Sequence, residues 1–186
     1  MILKLIHGII YFIEKLEGDI LRKLSIILCL VWMELIFYNS SRTATVSGSI
    51  SYSVVNSIRN DKHALQGKNK STKVIASVLP NSLRDQKIDL IIRKNAHAFE
   101  YCVLALFVAN SIFLFGVKGR NALTSIMFIC LLYAVTDEFH QLFVQGRGSL
   151  VSDVLIDFGG SLIGLGLFYL VYYKIYAMNR IKQIPR

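Results

Sequence analysis

The chain has 186 residues, is 54% hydrophobic with a mean hydropathy of +0.50, and carries a net charge of +9. This is too apolar for an ordinary soluble domain and fits one membrane-embedded domain covering 1–186. The basic excess comes without a nucleic-acid-binding motif, so it points to anionic lipid headgroups and excludes DNA or RNA as the expected partner.

Residues Met1–Ile13 set Ile2, Leu5, Ile6, Ile9, Ile10 and Ile13 at helical spacing, interrupted by Lys4 and His7. No small-residue cleavage site follows, so this start reads as an amphipathic helix on the membrane surface and not as a cleaved signal. A bilayer core takes about 20 apolar residues at 1.5 Å each. That predicts spans at about 21–38, 97–117, 122–143 and 153–173, with an extramembrane helical loop over 40–93. In the loop, Val46, Ile50, Val54, Val55 and Ile58 recur at helical spacing, as do Val74, Ile75, Val78 and Leu79 before Pro80. The expected fold is therefore an all-α membrane protein. It has four transmembrane helices in two hairpins, plus amphipathic interfacial helices at the N-terminus and in the long first loop. Cys29, Cys102 and Cys130 fall inside apolar stretches without metal-ligand spacing and read as core.

Of the 21 Lys and Arg, ten lie at the N-terminus up to Lys23, in the second connection or in the tail, and eleven lie in the first and third connections. A long loop translocates despite its charge, and the first helix usually sets orientation. The expectation is a multi-pass plasma-membrane protein with cytoplasmic termini.

Such a topology collects the ionisable residues on one face, and ionisable groups within a membrane mark functional sites by default. Span one ends in Asn39-Ser40-Ser41-Arg42. Span two opens with Arg93, Lys94, His97, Glu100 and Tyr101. Arg93 and Lys94 taken alone are snorkelling anchors. His97 and Glu100, three apart, make an ion pair, a proton-transfer pair or half a metal site. Span three ends in Asp137, Glu138, His140 and Gln141. Its adjacent carboxylates repel and call for a cation. Arg147 is the natural partner, and its planar guanidinium equally suits a ligand phosphate. His140, amid Phe139, Leu142 and Phe143, reads as interfacial. Gly146 and Gly148 mark a turn. Ser152 and Asp153 suit the start of a fourth helix. Asp157, one turn deeper, precedes Gly160 and Gly164, a small-residue stripe that lets a neighbouring helix approach.

Four motifs in this order resemble the VanZ-like family of small integral membrane proteins. They are Asn39-Ser40-Ser41-Arg42; Arg93-Lys94-x-x-His97-x-x-Glu100-Tyr101; Asp137-Glu138-x-x-Gln141; and Gly146-Arg147 followed by Asp153, Asp157 and Gly160. The resemblance covers about residues 24–172, and its specificity lies in the combination and not in any one motif. Arg42 stands where the family commonly has Gln. The resemblance implies a Gram-positive-type plasma-membrane protein. The family's best-known member is linked to resistance to glycopeptide antibiotics, teicoplanin in particular.

Three functions fit the constellation. The first is an enzyme, a lipid headgroup hydrolase or transferase, acting on an anionic lipid or lipid-linked cell-wall precursor. In that reading His97, Glu100, Asp137, Glu138 and Asp157 carry the chemistry, and Arg93, Tyr101, Gln141, Arg147 and Ser41 hold the substrate. Asp137, Glu138, Asp153 and Asp157 form an oxygen-rich set suited to Mg²⁺ or Mn²⁺. No Ser or Cys nucleophile motif is present. The second is a non-enzymatic binder or scaffold for cell-envelope synthesis using the same pocket. The third is purely structural, with ion pairs fixing helix register.

Overall fold

The structure, a computed structural model, describes residues 2–43 and 83–182. These form four α-helices, with no strand among the described residues: α1 Ile2–Ser40, α2 Leu83–Leu114, α3 Gly119–Gln141 and α4 Val151–Lys182. Three stretches are long and apolar enough to cross a membrane: Leu90–Leu114, Gly119–Gln141 and Val151–Lys174.

The helix bounds depart from the apolar runs because backbone conformation, not hydropathy, ends a helix. The run through Val117 is cut at Leu114. Gly116 there adopts φ 83° and Gly119 φ 66°, left-handed values that glycine alone takes cheaply. Gly116 donates its N–H to Phe113 O at 3.0 Å, and Val117 donates to Ile112 O at 3.2 Å. This Schellman pair satisfies the last carbonyls of α2. At its other end α2 starts at Leu83, so Arg93 and Lys94 lie within a helix and not at its mouth. The expected loop helices before Pro80 fall outside the described residues.

The expected surface helix and first span are one continuous helix of 39 residues. Such a rod is roughly 58 Å long, about twice the ~30 Å hydrocarbon core of a bilayer. The inner face of α1 repeats at Ser25, Cys29, Ile36 and Ser40, all buried. Leu28, Leu35, Phe37 and Tyr38 point outward.

Helix α2 is the centre of the bundle. It packs on α1, α3 and α4, whereas α1 and α4 do not touch among the described residues. The most extensive interface joins α2 to α4, which are not neighbours in sequence. Gly160 and Gly164 explain it. A Cβ on either would collide with a carbonyl oxygen of α2, that of Ala98 or of Cys102. The bundle is thus held less as two hairpins than as a glycine-mediated α2–α4 pair flanked by α1 and α3. Its core is built of small residues such as Ala105, Ala109, Ala122 and Ala134, while Phe128, Phe139, Leu155 and Ile163 face outward. A bundle in lipid has this distribution, since close backbone approach and not apolar burial drives association there.

Candidate functional site

The polar ends of the helices meet at one end of the bundle. The C-terminal end of α1, the N-terminal half of α2, the C-terminal turn of α3 and the first two turns of α4 bring their side chains together. Asn39 donates Nδ2–H to Glu100 Oε1 at 2.7 Å, and Ser40 donates its hydroxyl to Asp137 Oδ2 at 2.8 Å. Lys94 pairs with Asp153. His97 Nδ1 lies 3.5 Å from Glu100 Oε2, an ion-pair separation one helical turn apart. The Trp32 indole N–H bonds Glu100 O at 2.9 Å, which fixes α1 against α2 beneath the cluster.

The connection from α3 to α4 closes the site. Helix α3 tightens at its end, with Phe143 N–H bonding His140 O and Val144 N–H bonding Gln141 O. A β-turn follows, closed by Arg147 N–H to Val144 O at 3.1 Å. Gly146 sits at its third position with φ 76°, where a residue with a Cβ is strained. Gly148 needs no such freedom, having ordinary φ and open space around it. The turn sends Arg147 back toward α3, where Nη1 donates to Gln141 Oε1 at 3.1 Å. Gln141 in turn donates Nε2–H to Asp137 Oδ2 at 3.3 Å.

The expected cation for the Asp137–Glu138 pair therefore reaches Asp137 through an amide. Glu138 has a different role. Its Oε1 accepts the Leu150 N–H at 2.8 Å, just ahead of α4. There a carboxylate satisfies an otherwise orphaned donor and complements the helix dipole. Ser152, expected as the cap, lies inside the first turn of α4 and bonds Asp153.

A cavity of about 310 Å³ opens between α2, α4 and this connection. Arg93, Lys94, His97, Glu138, Gln141, Arg147, Asp153 and Asp157 are among its lining residues. Tyr101 and Ser41 of the expected binding set are not. Tyr101 is fully buried beneath, its ring 6.0 Å from that of Tyr133. Ser41 lies 3.1 Å from His140 Nε2 and donates to Phe37 O, and His140 stacks against Phe37 at 4.1 Å. Those contacts pack the end of α1 against the end of α3. Arg42 leans over the Tyr38 ring, 5.0 Å from its centroid.

Of the expected metal set, the structure draws Asp137 and Asp157 together. Ligand atoms of these two and of His97 lie within 4.8 Å of one another. Glu138 Oε1 accepts from Leu150 N–H and Asp153 Oδ1 pairs with Lys94, and neither residue joins that group. Sequence reasoning missed Ser40, which the motif offered but which was passed over for Ser41. Its signal was spacing: Ser40 lies four residues after the buried Ile36 and so on the inner face of α1.

Burial and the nearby Arg93 push Arg147 below the ordinary arginine value, although the Asp137, Glu138 and Glu100 carboxylates pull the other way. Arginine stays cationic at physiological pH, so this burden is carried as a half-buried charge. Its Nε, too, is buried and makes no hydrogen bond.

The fold and this cavity define a helical membrane protein with a charged pocket at one end of its bundle. The chain belongs to the VanZ/LLP1 family, whose family model matches residues 25–172. No curated protein and no solved structure matches the chain.

Proposed function

We propose that the pocket binds the phosphate-bearing headgroup of an anionic membrane lipid or lipid-linked cell-wall precursor. The observation that carries this reading is Arg147: a half-buried guanidinium beside Arg93, with its Nε hydrogen unpartnered, on the wall of an open cavity. A half-buried guanidinium with an unused donor is satisfied by an anion, and guanidinium meets phosphate with paired N–H donors. Lys94 is balanced by Asp153 and adds little.

This reading takes α1 as a fourth span, so that both termini are cytoplasmic and the pocket lies in the outer leaflet of the plasma membrane. It also sets the protein in the cell envelope. The link to teicoplanin-type resistance comes from the family resemblance and extends to this chain as part of the same proposal.

The test is headgroup binding by purified protein in detergent, titrated with phosphatidylglycerol and with phosphatidylcholine. A charge-assisted hydrogen bond contributes about 1.5–3 kcal/mol, so Arg147→Gln should weaken phosphatidylglycerol binding about ten-fold or more. Equal affinity for the two lipids, or no change in the variant, sinks the proposal.

The enzymatic version has its own support in the half-buried His97 and the buried Asp137 and Asp157, whose ligand atoms lie within 4.8 Å of one another, His97 and Asp157 lining the pocket. Incubation with lipid extract, followed by mass spectrometry, separates the versions. Product formation lost in Asp137→Asn with binding intact makes the protein an enzyme. Binding without product leaves it a binder.

A further inference from the structure

We infer that His97, Asp137 and Asp157 form a binding site for one divalent transition cation, of the Mn²⁺ or Zn²⁺ type. The site lies on the same pocket as the guanidinium wall and needs no lipid.

Three observations converge. The ligand atoms come from three helices, α2, α3 and α4, yet lie within 4.8 Å of one another. In tetrahedral coordination with bonds of about 2.1 Å, donor atoms sit about 3.4 Å apart. Side-chain rotation closes the difference, and two carboxylates without a cation between them stand apart through repulsion. Second, Asp137 is only 2% exposed, and its two oxygens are treated differently. Oδ2 accepts from both Ser40 and Gln141, whereas Oδ1 is buried with no hydrogen-bond partner. A carboxylate held by donors on one oxygen and bare on the other has the arrangement of a metal ligand positioned by its outer contacts. A buried acceptor left empty otherwise bears its desolvation cost without compensation. Third, Asp157 is also 2% exposed and lines the cavity, and no hydrogen bond reaches its carboxylate among the described residues. Below it, the collision line of Gly160 against α2 holds α4 close enough to bring Asp157 to His97.

Charge and donor type choose the ion. Two carboxylates, Asp137 and Asp157, offset the charge of one divalent cation. An imidazole nitrogen with only two carboxylates suits Mn²⁺ or Zn²⁺ better than Ca²⁺, which wants six to eight oxygens. Three protein ligands leave coordination positions open toward the cavity, as in sites that act on a substrate.

The experiment uses the full chain in detergent, stripped with chelator and titrated with Mn²⁺ under electron paramagnetic resonance, with Ca²⁺ as competitor. One Mn²⁺ per chain is expected, resistant to equimolar Ca²⁺. Asp157→Asn and His97→Gln should each weaken it by at least ten-fold while the protein stays monodisperse and helical. Ser40→Ala, which removes only a donor to Asp137, should weaken it roughly ten-fold. Asp19→Asn, at the opposite end of the bundle where Asp19 pairs with Arg22, should leave it unchanged. If neither ligand variant is well folded, the Ser40→Ala and Asp19→Asn pair still decides. The inference is overturned if Mn²⁺ does not bind, if Ca²⁺ displaces it at parity, or if Asp19→Asn abolishes binding while Ser40→Ala does not.

Discussion

Ser40 and Lys94 both reach a carboxylate across the bundle, but the two contacts differ in worth. The Lys94–Asp153 pair is 29% exposed on each side. Water and salt screen it, so it contributes about 0.2–1 kcal/mol. Ser40 is fully buried, and its hydroxyl is one of two donors to a nearly inaccessible Asp137. Removing it leaves a buried acceptor weakly satisfied, at a cost of about 1–3 kcal/mol. Ser40→Ala should therefore lower the thermal midpoint in detergent more than Lys94→Ala does, although lysine is the larger and charged residue. The reverse order would mean that the surface pair, not the buried hydroxyl, holds this end of the bundle.

Between helices, two adjacent glycines of α4 make opposite forecasts. At Gly159 a Cβ meets nothing within 4 Å. Gly159→Ala should gain up to about 1 kcal/mol from helix propensity. At Gly160 a Cβ would run into the Ala98 backbone. Backbone cannot rotate aside, so α2 and α4 must separate, and overpacking of this kind costs about 1–3 kcal/mol. Gly160→Ala should lower the thermal midpoint and, by moving Asp157 away from α2, should also weaken Mn²⁺ binding. Equal tolerance at both positions would show that the α2–α4 contact is loose.

At the scale of the whole molecule, the polar cluster lies at one end and aromatic residues gather at the other. Phe113 packs edge-on against Phe168, Tyr169 and Tyr172, near Lys118 and Gly119. Tyrosines with a lysine are typical of a membrane–water boundary. Cysteine substitutions in a cysteine-free background test the proposed orientation, with cytoplasmic termini and the polar cluster outside. A membrane-impermeant maleimide should label Ser149→Cys and Thr43→Cys on intact cells, but Asn121→Cys and Asp19→Cys only after permeabilisation. Labelling of Asp19→Cys from outside would remove α1 from the set of spans.

Much of this was legible in the order of residues. Apolar runs near 20 residues long, with charge confined to their ends, were enough to place His97, Glu100, Asp137, Glu138, Arg147 and Asp157 at one end of a helical bundle. Span alternation and the cost of charge in lipid leave few other arrangements. Gly160 and Gly164 already marked a close helix contact, because a missing Cβ is a local property. What the sequence could not assign was partnership. Helical spacing says which face a side chain occupies, but not which of several nearby groups it meets across a gap of a few ångströms. Only the packed bundle turned Arg147 to Gln141, gave Glu138 to the Leu150 N–H, paired Asp153 with Lys94, and left His97, Asp137 and Asp157 facing one another. Those choices depend on how closely α2 and α4 approach and on the turn at Gly146, distances set by three dimensions at once.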